Sequence, residues 1–124
     1  MLTLPIKKKW YDMILSGEKT EEYRELKKYY DDRLLTLFGA IWVGNELLQG
    51  EAVPEEIRKE PIQEICLRNG YSGSSPSIIV RCTLEAREGN PDWGAEPGKK
   101  YYVLMIKEKL KVVNGSSCAG TTKS

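Results

Sequence analysis

The stretch SIIVRCTLEA, from Ser77 to Ala86, has the clearest strand pattern in the chain. Apolar residues alternate with polar ones over most of its length, and β-branched residues are frequent. One face of the predicted strand therefore carries the apolar side chains Ile78, Val80, Cys82 and Leu84. The other face carries Ile79, Arg81, Thr83 and Glu85. This face pattern predicts a β-strand that is buried on one side.

Further strands are predicted before and after this one. They are the segments LTLPI (2–6), TEEYREL (20–26), LFGAIWVGN (37–45), the beginning of QEICLRNGYSGSSPS (63–77) and YYVLMIKEKLKVV (101–113), the last with Tyr102, Leu104 and Ile106 inward. Two short helices are predicted early in the chain. The first places Trp10, Met13 and Ile14 at helical spacing and ends at Gly17, and the second covers KKYYDDRLL. A helical turn is expected near Pro54.

Strands therefore dominate, and the helices are short. In a chain of 124 residues this favours a mainly β fold, a compact mixed β-barrel whose short α-helices cover an opening. Residues 1–113 are predicted to form one domain. Residues 114–124 contain few large apolar side chains and are predicted to be a flexible tail.

The composition narrows the classes of function. The net charge of +1 lacks the excess of a protein that coats nucleic acid by charge alone, so RNA binding should depend only weakly on salt. The chain has no histidine, and Cys66, Cys82 and Cys118 form no CxxC pair, so we expect no metal and no cofactor. Sparse cysteines, together with the lack of a signal peptide or membrane span, predict a soluble cytoplasmic protein.

The stretch GEKTEEYR, from Gly17 to Arg24, gathers charges around one tyrosine. If a strand begins near Thr20, Glu22 and Arg24 share one of its faces, and Lys19 lies in the preceding turn. A solvated surface is one interpretation. The other is the wall of a pocket, in which a carboxylate acceptor, a fork of guanidinium donors and a movable ammonium bind a planar polar ligand.

The same stretch matches GxKxxExR, the signature of the ASCH domain, through Gly17, Lys19, Glu22 and Arg24. Two further stretches, LRNGY (67–71) and DWGAEPGKKYYVL (92–104), resemble a branch of that family common in phage and Gram-positive bacterial genomes. The resemblance extends to about Val113. It implies a small PUA-like β-barrel with a pocket lined by the signature lysine, glutamate and arginine and open to RNA or a nucleotide-like ligand.

Members of the family have been linked to RNA binding, to ribonuclease activity and to hydrolysis of the acetyl amide of N4-acetylcytidine. In the amidohydrolase branch a threonine that resembles a nucleophile stands where this chain has Glu22. Acyl transfer through that position is therefore not expected.

The two other motifs each allow two interpretations. Asn69-Gly70 is typical of a tight turn, but Arg68, Asn69 and Tyr71 are also candidate ligand-binding residues, with Tyr71 as a stacking platform for a base. Trp93 is expected to plug the end of the barrel, with a ligand-stacking lid as the alternative. Trp10 and Trp42 are expected in the core.

Three functions remain open from the sequence. In the first, the pocket of Lys19, Glu22 and Arg24 binds RNA, a nucleotide or a modified nucleobase. In the second, the protein is a hydrolase acting on a modified nucleoside or on RNA, in which Glu22 is a general base and Lys19 polarises the scissile group. In the third, the chain is a protein-interaction factor, possibly phage-encoded. The oligomeric state stays open.

Overall fold

The computed structural model describes residues 1–113, and these residues form a mainly β structure with 42% strand and 26% helix. The predicted tail of residues 114–124 lies outside the described residues. The strands are β1 (Leu2–Pro5), β2 (Glu21–Glu25), β3 (Ile41–Val43), β4 (Glu46–Leu48), β5 (Gln63–Arg68), β6 (Ser77–Glu88) and β7 (Lys100–Val113). The α-helical segments are α1 (Lys8–Ser16), α2 (Lys28–Tyr30) and α3 (Thr36–Phe38).

The strands form a five-stranded sheet in the order β1-β5-β6-β7-β2 and a separate hairpin of β3 and β4. The sheet is mixed, because β1 pairs parallel with β5 whereas β2 pairs antiparallel with β7. β1 and β2 stand at the two ends of the strand order. The mainly β class and the mixed sheet predicted from the sequence are confirmed, and the closed barrel is not.

The described residues separate into two compact units, and β6 and β7 each contribute residues to both units. The first unit contains Met1–Thr20, Glu64–Arg81 and residues 107–113. The second unit contains Glu21–Gln63 and Cys82–Ile106.

In the first unit, α1 ends at Gly17 as the sequence predicts. Gly17 adopts φ 90°, a left-handed conformation that glycine reaches without steric strain, and its N–H donates to the Ile14 carbonyl. The buried face of α1 is different from the predicted one, because it is formed by Tyr11 and Ile14. Trp10 is only half-buried, so its assignment to the core was wrong.

β6 has the face pattern that its sequence predicts. Its apolar face is fully buried, as the exposures of Ile78, Val80, Cys82 and Leu84 show. On the opposite face Arg81 is exposed and forms ion pairs with Glu64 and Glu108.

The second helical stretch of the chain contains an irregular turn. A π-helical turn, Asp31–Leu35, joins α2 to α3, and Gly39 ends the stretch with φ 62°. π-Helical turns inside α-helices are uncommon and occur often at functional sites. Leu34 and Phe38 bury this stretch in the second unit.

The strand predicted over residues 37–45 is shorter than expected. Leu37 and Phe38 belong to the helical stretch, and the strand covers only Ile41–Val43. A tight turn at Gly44 and Asn45 then leads into β4, which the sequence prediction missed. Trp42 is half-buried in this hairpin and is not a core residue.

β7 is buried on both faces over its first half. Tyr102 and Leu104 are buried as predicted, but so are Tyr101 and Val103 on the other face. Tyr101 and Val103 belong to a separate apolar cluster with Ala95, against which Tyr23 and Met105 pack. The simple alternation expected for a strand with one wet face therefore fails here.

Candidate functional site

The pairing of β2 with β7 decides which way the charged residues of β2 point. Glu22 lies opposite Leu104 and Arg24 lies opposite Tyr102. Side chains directly opposite each other in an antiparallel pair lie on the same face. Glu22 and Arg24 therefore share the face of two fully buried residues, as the alternation in the sequence predicts.

Glu22 and Arg24 form a nearly buried ion pair. The Arg24 Nη1 atom donates to Glu22 Oε2 over 2.6 Å, and the exposed fractions of the two side chains are 11% and 6%. Arg24 Nη1 also donates to the Tyr23 carbonyl over 2.7 Å. The interpretation of GEKTEEYR as solvated surface is therefore wrong for these side chains. Because burying two charges is unfavourable, such a pair is weak evidence for stability.

An aromatic ring lies beside this pair. The guanidinium carbon of Arg24 is 5.9 Å from the centre of the Tyr30 ring, and Lys27 Nζ is 5.6 Å from the same centre. Tyr30 is half-buried at the end of α2. A guanidinium and a tyrosine ring at this distance attract each other through the ring quadrupole.

Tyr102 connects the same face to the π-helical turn. Its hydroxyl donates to Asp31 Oδ1 over 2.5 Å and accepts a hydrogen bond from Trp42 Nε1 over 2.8 Å. Burial, followed by the hydrogen bond to Asp31, raises the pKa of Tyr102 to about 12. The phenol therefore stays protonated at neutral pH and holds Asp31 and Trp42 in fixed positions.

A second network occupies the opposite face of β2. Tyr23 donates to Glu21 Oε1 over 2.7 Å and accepts from the Asn90 N–H. Arg87 forms a 2.6 Å ion pair with Glu21 and a 2.7 Å one with Glu85. Burial is the largest cause of the raised pKa of Tyr23, whereas hydrogen bonds to the two carboxylates raise the pKa of Arg87. This network ties β2 to β6 and to the turn at Asn90.

Lys19 belongs to the first unit and is buried there, with 1% of the residue exposed. Its Nζ lies 5.4 Å from the centre of the Trp10 ring, and its backbone N–H donates to the Met13 carbonyl. The sequence predicted a movable ammonium at this turn, and the burial of Lys19 corrects that prediction. Its membership of a pocket with Glu22 and Arg24 stays a prediction.

Arg68, Asn69 and Tyr71 also belong to the first unit. The Asn69 side chain donates to the Ile6 carbonyl over 3.1 Å, and its N–H donates to the Pro76 carbonyl, so Asn69 closes the loop of residues 69–76. Tyr71 is 90% exposed. The Nε atom of Arg68 is buried and has no hydrogen-bond partner within residues 1–113. Their predicted role in a pocket is untested.

Trp93 lies in a short 3₁₀ turn, Pro91–Trp93, capped by the side chain of Asn90. Trp93 is half-buried. Ala95, two residues later, joins Tyr101 and Val103 in the apolar cluster. The roles of plug and of lid both stay predictions.

The sequence did not identify Tyr30, Asp31, Trp42 and Tyr102 as site residues. Trp42 and Tyr102 have large, mainly apolar side chains, so the sequence predicts core positions for them. Asp31 lies in a charged helix, where a carboxylate is ordinarily solvated. Only the buried tyrosine hydroxyl, which needs a partner, could have indicated the network.

Within residues 1–113 the possible metal ligands do not cluster, and the two cysteines are buried. Within residues 1–113, no group of three His, Cys, Asp or Glu side chains could hold a metal ion. Cys66 and Cys82 are buried free cysteines, and burial raises the pKa of Cys82 to about 12. Every helix in residues 1–113 is too short or too polar to cross a bilayer.

Comparison with known proteins leaves the family open. No family model matches the chain, and no curated protein or solved structure matches it either.

Proposed function

We propose that this protein binds a nucleobase or nucleotide, free or within RNA, through Glu22 and Arg24. The observation that carries the proposal is the nearly buried Glu22–Arg24 ion pair, with its 2.6 Å contact, beside the Tyr30 ring. Replacing a buried ion pair with apolar residues is often neutral or stabilising, so stability alone gives little reason to keep one. Recognition of a polar planar ligand gives such a reason.

The chemistry of the pair selects the edge of a base. Glu22 accepts a hydrogen bond from an exocyclic amine or a ring N–H, and Arg24 orients Glu22 while donating to a carbonyl oxygen. Guanine, cytosine and uracil each present an N–H donor and a carbonyl acceptor. Adenine has no carbonyl, so we expect adenine nucleotides to bind most weakly.

The Tyr102 network supports the same proposal. Tyr102 lies opposite Arg24, and its hydroxyl is fixed by Asp31 and Trp42. Binding costs less when the recognising groups are already held in place, because fewer side chains must be ordered by the ligand. The buried phenol provides a rigid neighbour for the guanidinium.

For the fold, we propose a PUA-like barrel of the ASCH type. The mainly β, mixed sheet and the order of the three sequence motifs support this proposal. Lys19 is the third signature residue, and its burial in the first unit is consistent with a role other than that of a solvated surface lysine.

The experiment is to identify what the purified protein carries and binds. Native mass spectrometry reports a co-purified nucleotide, and calorimetric titration with the four ribonucleoside monophosphates measures preference. We expect GMP, CMP or UMP to bind at least 10-fold more tightly than AMP, because adenine cannot accept the hydrogen bond from the charged Arg24, which is worth about 1.5–3 kcal/mol. If all four monophosphates bound equally, or if none bound, the proposal that Glu22 and Arg24 recognise the base would be wrong.

A further inference from the structure

The net charge of +1 hides an uneven distribution between the two units. In the described part of the first unit, nine lysines and arginines stand against four acids, Asp12, Glu18, Glu64 and Glu108. In the second unit, nine lysines and arginines stand against fourteen acids. The first unit is therefore distinctly basic and the second distinctly acidic. The whole-chain net charge therefore describes neither unit.

Part of the basic charge is concentrated at one place in the first unit. Lys7, Lys8 and Lys9 are all exposed; Lys7 is the N-cap residue of α1, and Lys8 and Lys9 are its first two residues. The Ile6 N–H donates to the Arg68 carbonyl over 2.8 Å, and the Asn69 side chain donates to the Ile6 carbonyl. These bonds hold Ile6, the residue before the three lysines, against the end of β5. Tyr71 follows two residues after Asn69.

Helix stability does not explain the three lysines. Positive charges at the N-terminal end of a helix oppose its dipole, and α1 has no acid in its first turn. Lys7, in the N-cap position, makes no side-chain capping bond. Lys8 pairs with Asp12 over 2.8 Å, but both of these side chains are exposed and the pair contributes little. Lys9 Nζ lies 4.7 Å from the centre of the Trp10 ring, a contact that is weak for an exposed lysine.

Tyr71 is not explained by packing either. It is 90% exposed, the highest value among the exposed large apolar and aromatic residues, on a loop of serines and glycines. An exposed aromatic ring next to lysines is typical of proteins that bind single strands, where bases stack on the ring and lysines follow the phosphates. Three residues earlier in the sequence, the buried Nε atom of Arg68 lacks a hydrogen-bond partner within residues 1–113.

We propose that Lys7, Lys8, Lys9 and Tyr71 form a second binding surface, here called the lysine–tyrosine surface, for the backbone and one base of single-stranded nucleic acid. The lysines bind phosphates and Tyr71 stacks on a base. This surface goes beyond the proposed base recognition by Glu22 and Arg24 and does not depend on it. The lysines would bind an anionic membrane surface equally well. Nucleic acid is favoured because one of its bases also stacks on the exposed Tyr71 ring.

The test is the salt dependence of binding to a fluorescent single-stranded RNA 12-mer of mixed sequence. The variant Lys7→Gln/Lys8→Gln/Lys9→Gln removes three phosphate contacts. We expect it to flatten the slope of log K against log salt by about 2, and to weaken binding about 100-fold at 0.1 M salt. Tyr71→Ala should weaken binding about 5- to 150-fold and leave the slope unchanged, whereas Tyr71→Phe retains stacking and affinity.

The matched control is Lys28→Gln/Lys59→Gln/Lys100→Gln, which removes three lysines from the acidic unit. It has the same change in net charge and should leave the slope unaltered. Equal effects of the two triple variants, or an unchanged slope in the first, would overturn the proposal. So would binding to phosphatidylserine vesicles that depends on the three lysines while RNA binding does not. Monophosphate titrations report separately on Glu22 and Arg24, so the two proposals can fail independently.

Discussion

Arg24 lies directly opposite Tyr102 in the antiparallel pairing of β2 and β7, so its side chain shares a face with a fully buried tyrosine. Arg24 is paired with Glu22, and Tyr102 is held between Asp31 and Trp42. Two polar systems, the Glu22–Arg24 pair and the Tyr102 hydroxyl with its partners, therefore arise on the same face of the β2–β7 pair. The other face carries a comparable system around Tyr23 and Glu21, which makes it a natural internal control.

Removing the Tyr102 hydroxyl should reduce both stability and ligand binding. Tyr102→Phe leaves Asp31 Oδ1 and Trp42 Nε1 without this shared partner, and we expect a loss of about 1–3 kcal/mol in the free energy of unfolding. Affinity for the preferred monophosphate should fall as well. Urea unfolding and calorimetric titration measure the two effects.

Tyr23→Phe is the matched variant on the opposite face. It also removes a hydroxyl that bridges two partners, Glu21 and the Asn90 N–H, so its stability should fall by a similar amount. Its affinity for the monophosphate should be unchanged. If Tyr23→Phe weakened binding as much as Tyr102→Phe, the effect would be general loosening of the protein and not a property of the Tyr102 face.

Stability should fall between about pH 10 and pH 12. The pKa of Tyr102 is about 12 in the folded protein, above the value of about 10 expected in an unfolded chain. The folded state therefore holds a proton that the unfolded state releases in this range, and rising pH favours unfolding. The raised pKa of Tyr23 acts in the same direction. Urea unfolding at pH 9, 10 and 11 should show a smaller decrease for Tyr102→Phe than for the wild type. An equal decrease would mean that Tyr102 titrates normally.

Two glycines with nearly the same φ angle should differ in their tolerance of alanine. Gly39 and Gly44 have φ values of 62° and 61°. A Cβ on Gly39 would lie 2.4 Å from the Ile57 carbonyl oxygen and 2.7 Å from the Lys59 nitrogen, whereas a Cβ on Gly44 meets nothing within 4 Å.

Gly44→Ala should therefore cost only the backbone strain, about 1–2 kcal/mol. Gly39→Ala should cost clearly more, because backbone atoms must also move. Thermal unfolding of both variants measures the difference. Equal midpoints would show that the segment at Ile57 yields easily.

Local patterns predicted much of the fold. The alternation in β6 and the glycine at the end of α1 each act within one segment, and the structure agrees with both. The two-sided burial of Tyr101 and Val103 could not be predicted, because it depends on Ala95 and Tyr23, which arrive from other parts of the chain.

The candidate site was partly predictable for the same reason. Strand parity alone brings Glu22 and Arg24 to one face, and a short local contact joins them. Asp31, Trp42 and Tyr102 meet only through tertiary packing, with Tyr102 separated from Asp31 by 71 residues in sequence. The charge difference between the units was also hidden, since each unit is assembled from separated segments.

Recognition of the ligand by Glu22 can be measured through the affinity of Glu22→Gln for the preferred monophosphate, compared with that of Glu21→Gln. Both variants remove one negative charge from adjacent residues that are each paired with an arginine, but on opposite faces of β2. Glu22→Gln should lose about 1.5–3 kcal/mol of binding free energy, and Glu21→Gln should lose none. Unchanged affinity in Glu22→Gln, with loss of wild-type turnover of N4-acetylcytidine or RNA, would contradict recognition by Glu22 and make Glu22 a general base.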